Sequence, residues 1–431
     1  MRPRSACEVI MTSTRLRGRV LLARIGVVAL MLLRLTAIAA RARVARRADY
    51  PDVVAGALVD GIERLGGAYI KFGQLLATRP DIVGMRLSDQ LARLQDSVAP
   101  MPVEEALAVL DQAPAQLPAE ARAAVEAGPV ASGSIACVYR CQPAGEAAIA
   151  LKIRRPSAVR TVLADTAIMR RSARGLSWLP PFWSSPIVTI VDQLSTAIEA
   201  QLDLSQERVM LHMLAGALTD EPDIIVPRPI DRFCGDDLLA MNFLEDLDRD
   251  GFAQAAPRQR QHGITTLVRG LYRLIFEHGF IHVDLHQGNA YLLSSGKVAL
   301  LDVGFAHLLS EFARDRFTQF FGGMVNGHGH SCADIVLSTT SSTGRGRNPD
   351  RFRREVVELV EESAEQDVAH FSVPKFAVQL FRIQQRNGYY ADPEMTFPLL
   401  CLIALEGTVN KFAPEMDFQI EAAPYIMANL L

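Results

Sequence analysis

Two short runs carry residues whose types and spacing could do chemistry. His282-Val283-Asp284-Leu285-His286-Gln287-Gly288-Asn289 places a carboxylate ahead of an amide, and Ala299-Leu300-Leu301-Asp302-Val303-Gly304 adds a second carboxylate at the end of an apolar strand. Phosphoryl transfer asks for those groups: a carboxylate to orient the nucleophile, and an amide oxygen with another carboxylate to hold a metal against phosphate charge. In that scheme Asp284 is catalytic, while Asn289 and Asp302 are metal ligands. Gly304 allows the tight backbone behind the metal ligand.

A second pattern overlaps the first. His282, Asp284 and His286 alternate, so on a strand they would share a face and could bind a transition metal. That reading leaves Asn289 and the strand ending at Asp302 without a purpose, and phosphoryl transfer accounts for both. His282 then reads as a structural hydrogen-bonding residue.

A fixed ammonium is available upstream. Ile149, Leu151 and Ile153 alternate with Ala148, Ala150 and Lys152, the period of a strand with the lysine opposite the large apolar side chains. Such a lysine would pair with α- and β-phosphates. Before it, Pro129 to Ala136 form a small-residue turn in which Ala131, Ser132, Gly133 and Ser134 let backbone approach phosphates. Its one glycine makes it stiffer than a G-x-G-x-x-G loop.

The elements that must position these groups follow from periodicity. Leu58, Ile62, Leu65, Tyr69 and Leu76 predict an amphipathic helix from Val54 to a stop near Thr78-Arg79-Pro80, with a second helix over Leu87 to Leu94. Pro100, Pro102, Pro114 and Pro118 break the linker that follows, and the Ala-rich Glu104 to Ala127 suits helix. Asp192 to Leu214 reads as one helix, and Ile230 to Phe233 with Leu238 to Phe243 reads as a hairpin. From Thr265 onward helices dominate, apart from strands around Ile281 and Val298 to Leu301.

Composition sets the class. The chain has 431 residues, 49% hydrophobic and 22% charged, with a formal net charge of −3. It is globular, of a length that suits one large two-lobed domain plus extensions, and carries no excess of positive charge, so nucleic acid is not an expected partner. Six cysteines, Cys7, Cys137, Cys141, Cys234, Cys332 and Cys401, lack a Cys-x-x-Cys pair and read as free thiols in a reducing compartment.

The N-terminus departs from this picture. Arg15, Arg17, Arg19 and Arg24 precede the apolar run Ile25 to Leu33, and Arg34, Arg41, Arg43, Arg46 and Arg47 follow it. Arg24 and Arg34 bracket a short clean stretch, so an interfacial helix whose arginines reach an anionic membrane surface is preferred to a span. A basic leader or targeting peptide is the alternative. No small-residue cleavage site follows the run, which argues against a secretory signal.

The first run fits H-x-D-L-x-x-x-N, the catalytic-loop pattern of protein kinases, and the second fits their Asp-Phe-Gly turn with Val303 for Phe. Lys71-Phe72-Gly73-Gln74 matches the K-x-G-Q motif of the UbiB/AarF family of atypical kinases. Further likeness lies in Leu75 to Asp81, Leu91 to Asp96, Ala131 to Ser134 in place of an Ala-rich loop, and a tail holding Leu405-Glu406-Gly407 and Asn410 to Glu415. The chain from about Tyr50 to Leu431 therefore resembles that family.

The resemblance implies an α+β class, a two-lobed protein kinase-like fold with a helical N-terminal extension. Its expected divisions are a membrane-associating segment at 1–48, a helical extension with the K-x-G-Q motif at 49–127, an N-lobe at 128–243 and a mainly helical C-lobe at 244–431. It further implies ATP with Mg2+ or Mn2+, and an atypical kinase or ATPase serving isoprenoid lipid, including quinone, metabolism. Its place would be the cytoplasmic face of a membrane, peripheral or N-terminally anchored, with a prenyl lipid or lipid-biosynthesis enzymes as partners. Lys71 and Gln74 would join Asp284 in the catalytic site. Asp203 and Glu207 would serve the nucleotide, Glu207 as the carboxylate partner of Lys152.

Departures bear on how the pocket is gated. The family's E-x-D reads Gln201-Leu202-Asp203 here, so no ion pair forms between Gln201 and Lys71; Glu199, Asp203 and Glu207 at helical spacing offer Glu199 as a replacement charge. Gly133 would loosen the phosphate turn. A genuine protein kinase is the alternative function, although no A-P-E-like segment precedes the helix at Phe312 to Met324. A nucleotide-regulated scaffold is the other, which the retained Asp284 argues against.

Overall fold

The computed structural model describes residues 14–45, 49–77, 83–94, 98–113, 117–178, 187–283, 285, 288–342, 348–365 and 371–430. The chain divides into two compact units, one of 1–208 with 229–243 and the other of 209–228 with 244–431.

The first unit begins with helices. α1 (Thr14–Val44) packs on α2 (Tyr50–Leu65), and α3 (Gly67–Ala77) follows, then α4 (Met85–Leu91), α5 (Val103–Asp111) and α6 (Ala121–Ala127). The single helix expected from Val54 breaks into α2 and α3, because Gly66 and Gly67 take φ of 66° and 50°, which end the right-handed turn. Leu65 and Tyr69 keep helical spacing across the break, so periodicity did not reveal it. Val59, Ile62, Ile70, Leu91 and Leu94 form the buried cluster of this layer.

A four-stranded antiparallel sheet follows in the order β1-β2-β3-β5, with β1 at Ala131–Ser132, β2 at Ala136–Cys141, β3 at Ile149–Arg154 and β5 at Leu238–Asn242. Leu151 and Ile153 are fully buried, as strand alternation requires. The expected hairpin is only half formed: Asp231–Phe233 is a 3-10 turn, and Pro229 makes one bridge to Met241.

Helices α7 (Pro156–Leu176), α8 (Ile187–Ala200) and α9 (Leu204–Ala217) come between β3 and β4 (Ile224–Ile225). The helix expected over Asp192 to Leu214 is therefore two. Asp203 Oδ1 accepts from the backbone N–H groups of Ser205 at 3.0 Å and Gln206 at 3.2 Å, an N-cap that starts α9 afresh. With the break, Glu199 and Glu207 lie on different helices and share no face.

The second unit is mainly helical. α10 (Gly251–Gln254) and α11 (Pro257–Tyr272) lead through a π turn at Arg273–Glu277 into the strands β6 (Phe280–His282), β7 (Ala290–Leu292), β8 (Val298–Leu300) and β9 (Ala306–Leu308). The strands expected around Ile281 and at Val298 form, but in separate sheets: β6 pairs with β9, and β8 lies between β4 and β7. They are followed in the chain by α12 (Glu311–Val325), α13 (Gly329–Ser338), β10 (Thr340–Ser342), α14 (Pro349–Ala364), α15 (Val373–Asn387), β11 (Tyr389–Ala391), α16 (Pro393–Phe412) and α17 (Phe418–Leu430). Glu406 of the tail motif is buried in α16 and accepts the Val373 N–H at 2.8 Å, capping α15.

α1 is fastened to the first unit by a buried ion pair. Arg24 donates to both Asp165 oxygens at 2.7 Å and to the Leu65 carbonyl at 3.0 Å, and its guanidinium lies over the Tyr69 ring. The Asp165 side chain is 0% exposed; burial pushes its carboxyl pKa up and the hydrogen bond from Arg24 opposes that. Arg24→Leu would leave this carboxylate unpaired, at a cost of about 3 kcal/mol at neutral pH. Because its folded pKa would then lie further above the unfolded value, the loss should shrink as pH falls toward about 5, where protonation favours the folded state. Urea unfolding at the two pH values checks this, and Arg24→Leu with Asp165→Leu should recover most of the loss.

Candidate functional site

In the first unit, β3 is hydrogen-bonded on both edges, with Lys152 opposite Val138 and Leu239. That register fixes the lysine Cα. Its ammonium donates to Glu207 Oε1 at 2.6 Å, and the two side chains are 15% and 5% exposed. Glu207 stands in the first turn of α9, so the Asp203 cap that starts this helix also sets the carboxylate's height. Asp203 itself is exposed and committed to capping.

The turn that carries Ala131, Ser132, Gly133 and Ser134 joins β1 to β2, with Ser132 opposite Cys137 and the Gly133 N–H donating to the Ala136 carbonyl at 2.9 Å. Gly133 is not in the left-handed region, so the turn does not need a glycine there. Nor is it loose. Arg155 donates to the Gly133 carbonyl at 2.8 Å, to Ser132 Oγ at 2.7 Å and to the Ala99 carbonyl at 2.6 Å, while its own N–H donates to the Ile135 carbonyl. The expectation that Gly133 frees this turn is corrected by that strap.

Arg154 makes a matching tie. Its side chain pairs with Asp237 and donates to the Leu202 carbonyl, so the end of β3 holds the turn between α8 and α9. Gln201 sits half-buried in that turn. Glu199 does not stand in for the missing charge as a free carboxylate: its oxygens accept from Arg170 at 2.5 and 3.1 Å and from Thr166 at 2.5 Å.

Lys71 and Gln74 lie on α3, both half-buried. Gln74 Nε2 donates to the Leu94 carbonyl at 3.2 Å. A Cβ built on Gly73 would stand 2.4 Å from Leu94 Cδ1 and 3.3 Å from Ile62 Cγ2, so the glycine is what lets α3 close on its neighbours. Two letters of the K-x-G-Q motif thus position the helix that bears the lysine.

In the second unit, the register Ala290 to Leu300, extended by a 2.8 Å bond from Leu301 N–H to the Asn289 carbonyl, sets Asn289 and Asp302 at the same end of the β7–β8 hairpin. Asn289 is buried. Asp302 takes φ 49°, a left-handed conformation rare for a residue with a Cβ, and its Oδ1 accepts the Gly304 N–H at 2.9 Å. An amide oxygen and a carboxylate are hard donors that fit Mg2+ or Mn2+. Among the described residues no group of three His, Cys, Asp or Glu side chains gathers as a metal site.

His282 Nε2–H donates to the Leu301 carbonyl at 3.0 Å, and Val283 N–H to the Phe305 carbonyl, so the strand before the first run is tied to both sides of the Asp302 turn. Asp284, His286 and Gln287 lie outside the described residues.

Arg154, Arg155 and the Arg24–Asp165 pair did not emerge from the sequence. A signal existed for each. Two arginines end an apolar strand directly before Pro156, and Asp165 falls in the buried stripe Val162, Asp165, Thr166 and Met169 of α7, where an acid needs a partner.

The profile of the ABC1 atypical kinase-like domain matches residues 93–336, more than half of the chain. An uncharacterized protein of Synechocystis sp. is 25% identical over 369 residues, 83% of this chain and 89% of that protein. A probable protein kinase UbiB of Xylella fastidiosa is 24% identical over 379 residues, 85% of this chain and 68% of its own length. Among solved structures, Rv3197 of Mycobacterium tuberculosis in complex with erythromycin is similar in fold, with a TM-score of 0.51 at 19% identity over 86% of this chain and 98% of that one. The mixed helix-and-strand fold with its helical N-terminal region is kinase-like.

Two substitutions test the local physics. Gly73→Val should destabilise by about 2 kcal/mol through overpacking against Leu94 and Ile62. Asp302→Gly should change stability by no more than about 1 kcal/mol, since glycine accepts the positive φ, whereas Asp302→Val should cost more because a β-branched residue there is strained. Urea midpoints of the purified variants check both.

Proposed function

This chain belongs to the ABC1 atypical kinase-like family, and from that premise we propose that it binds ATP with Mg2+ or Mn2+ and transfers its terminal phosphoryl group. The observation that carries the proposal is the Lys152–Glu207 pair at 2.6 Å, the arrangement in which a strand lysine is held by a helix carboxylate to meet α- and β-phosphates. Burial makes this pair costly to build for stability alone. Its value lies in a fixed positive charge.

In this reading the β1–β2 turn, Ala131 to Ser134, approaches the phosphates with backbone N–H groups, and Arg155 keeps it from moving. Asn289 and Asp302 hold the metal, which when bound neutralises charge on the phosphates. Asp284 orients the nucleophile. Lys71 and Gln74 act from α3, whose place is set by Gly73. UbiB-named relatives support a role connected with quinone biosynthesis; an isoprenoid lipid or its biosynthetic enzymes as partners is the extension of that reading.

Membrane attachment belongs to the same proposal. Arg24–Val44 is long and apolar enough to cross a membrane, with mean hydropathy 1.9. Yet α1 packs along α2 and α7, and Leu30, Leu32 and Leu33 are 50%, 51% and 67% exposed on its outer side. Arg24, expected to reach headgroups, instead points inward to Asp165. A docked helix with an apolar outer side suits the interface of an anionic, cytoplasm-facing membrane surface.

ATP affinity and turnover test the core of the proposal. Affinity should rise strongly with Mg2+ or Mn2+, and Asp302→Asn should weaken it; equal metal-dependent affinity in wild type and variant would remove Asp302 from the metal. Asp284→Asn should leave affinity nearly intact and cut turnover at least about a hundredfold, the usual scale for a group acting in the transition state. Unchanged turnover would instead favour a nucleotide-regulated scaffold.

A further inference from the structure

α1 and α2 leave a groove between them of about 270 Å³. Its walls are apolar: Val27, Leu30, Leu35 and Ile38 on α1, and Ala57 and Leu65 on α2. The Met31 side chain packs over Gly61, where a Cβ would stand 2.6 Å from Met31 Cε. Three arginines, Arg34, Arg41 and Arg64, and one aspartate, Asp60, also line the groove, all of them exposed.

That combination selects among ligands. An inorganic anion has no use for the apolar walls, and a neutral lipid would leave the excess of arginines over the one aspartate uncompensated. The volume is near the lower end of small-molecule sites, roughly 300–1,000 Å³, which suits one aliphatic chain rather than a bulky ring system. Aliphatic walls and arginines within one groove match an amphiphile with an anionic head. Leu30, one of the groove's walls, is also among the exposed apolar side chains of α1 proposed above to meet the membrane.

We infer that the α1–α2 groove binds one anionic phospholipid, an acyl chain against Leu30, Ile38 and Ala57 and the phosphate against Arg34, Arg41 and Arg64. This rests on the membrane-surface reading and goes further: the helix does not merely lie among many headgroups but holds a single lipid. Bound there, the lipid would touch both helices and favour the docked arrangement of α1.

The test uses the full-length protein and short-chain phosphatidylglycerol below its micelle concentration, so that no bilayer is present. Wild type should bind it saturably, and bind glycerol phosphate and short-chain phosphatidylcholine much more weakly. Arg64→Gln should weaken binding roughly fivefold, the scale of one basic residue at an anionic lipid, and Ala57→Phe should abolish it by filling the groove without changing charge. Leu30→Glu, at a half-exposed wall position, gives the same loss if Ala57→Phe disturbs folding. Arg43→Gln, on the same helix and outside the groove, should change nothing.

Equal loss in Arg43→Gln and Arg64→Gln, or unchanged binding in both Ala57→Phe and Leu30→Glu, would overturn the site in favour of diffuse attraction. Saturable capture of an acidic amphipathic peptide with no lipid binding would overturn it in favour of a protein partner. Sedimentation with vesicles of phosphatidylcholine, with and without phosphatidylglycerol, separates the two levels. Vesicle binding retained while monomer binding is absent sinks the groove alone; no vesicle binding by wild type sinks the membrane reading.

Discussion

The Lys152 ammonium and the Glu207 carboxylate, 2.6 Å apart and nearly out of water, impose the constraint on which the first unit depends. Two charges in such surroundings must each find their partner, because leaving either alone costs several kcal/mol. Sheet register fixes one of them and the first turn of α9 fixes the other. The chain must therefore start a helix at the right height beside β3, which explains why α8 ends at Ala200 and Asp203 caps a new helix at Leu204. The break that interrupts an otherwise helical stretch is how the carboxylate reaches the lysine.

Around that pair, two adjacent arginines hold the backbone. Arg154 ties the end of β3 to Leu202 and Asp237, and Arg155 ties the next position to Ser132, Gly133 and Ala99. Adjacent residues at a strand end point to opposite sides, so one strand terminus holds both the turn ahead of α9 and the turn between β1 and β2. A glycine-rich turn has backbone freedom; this turn is instead pinned by a buried guanidinium. Gly73 and Gln74 show the same economy, since close packing and one hydrogen bond to Leu94 orient α3.

What could be read from the sequence divides along a physical line. Strand alternation around Lys152, the catalytic-loop spacing and the apolar strand ending at Asp302 are local, and local periodicity survives into structure at β3 and β8. The same local logic overran Gly66-Gly67, where apolar spacing continued through a left-handed break, and the Asp203 cap, where a favourable N-cap followed by Gln206 was available as a signal. Arg24 and Asp165 are 141 positions apart, and no spacing rule connects them. Arg24 was read as a headgroup contact because an arginine beside an apolar run is costly in a bilayer; a buried acid elsewhere in the chain removed the premise. Asp284, the residue with the clearest chemical reading, remains a reading from sequence.

That pair also decides how the N-terminal helix can behave. Taken alone, Arg24–Val44 meets the length and apolarity of a span, and the choice between spanning and lying flat looks open. Crossing the bilayer would require α1 to leave α2 and α7, stripping Asp165 of its guanidinium and carrying Arg34, midway along Arg24–Val44, into hydrocarbon. Both changes are unfavourable by several kcal/mol, and lipid contact with Leu30, Leu32 and Leu33 is already available to the docked helix, which exposes them. Val28, Met31 and Leu35 are already partly buried in the docked helix. The ion pair therefore favours a helix that stays docked on the protein, and the arginine that first argued against a span does so from inside the fold.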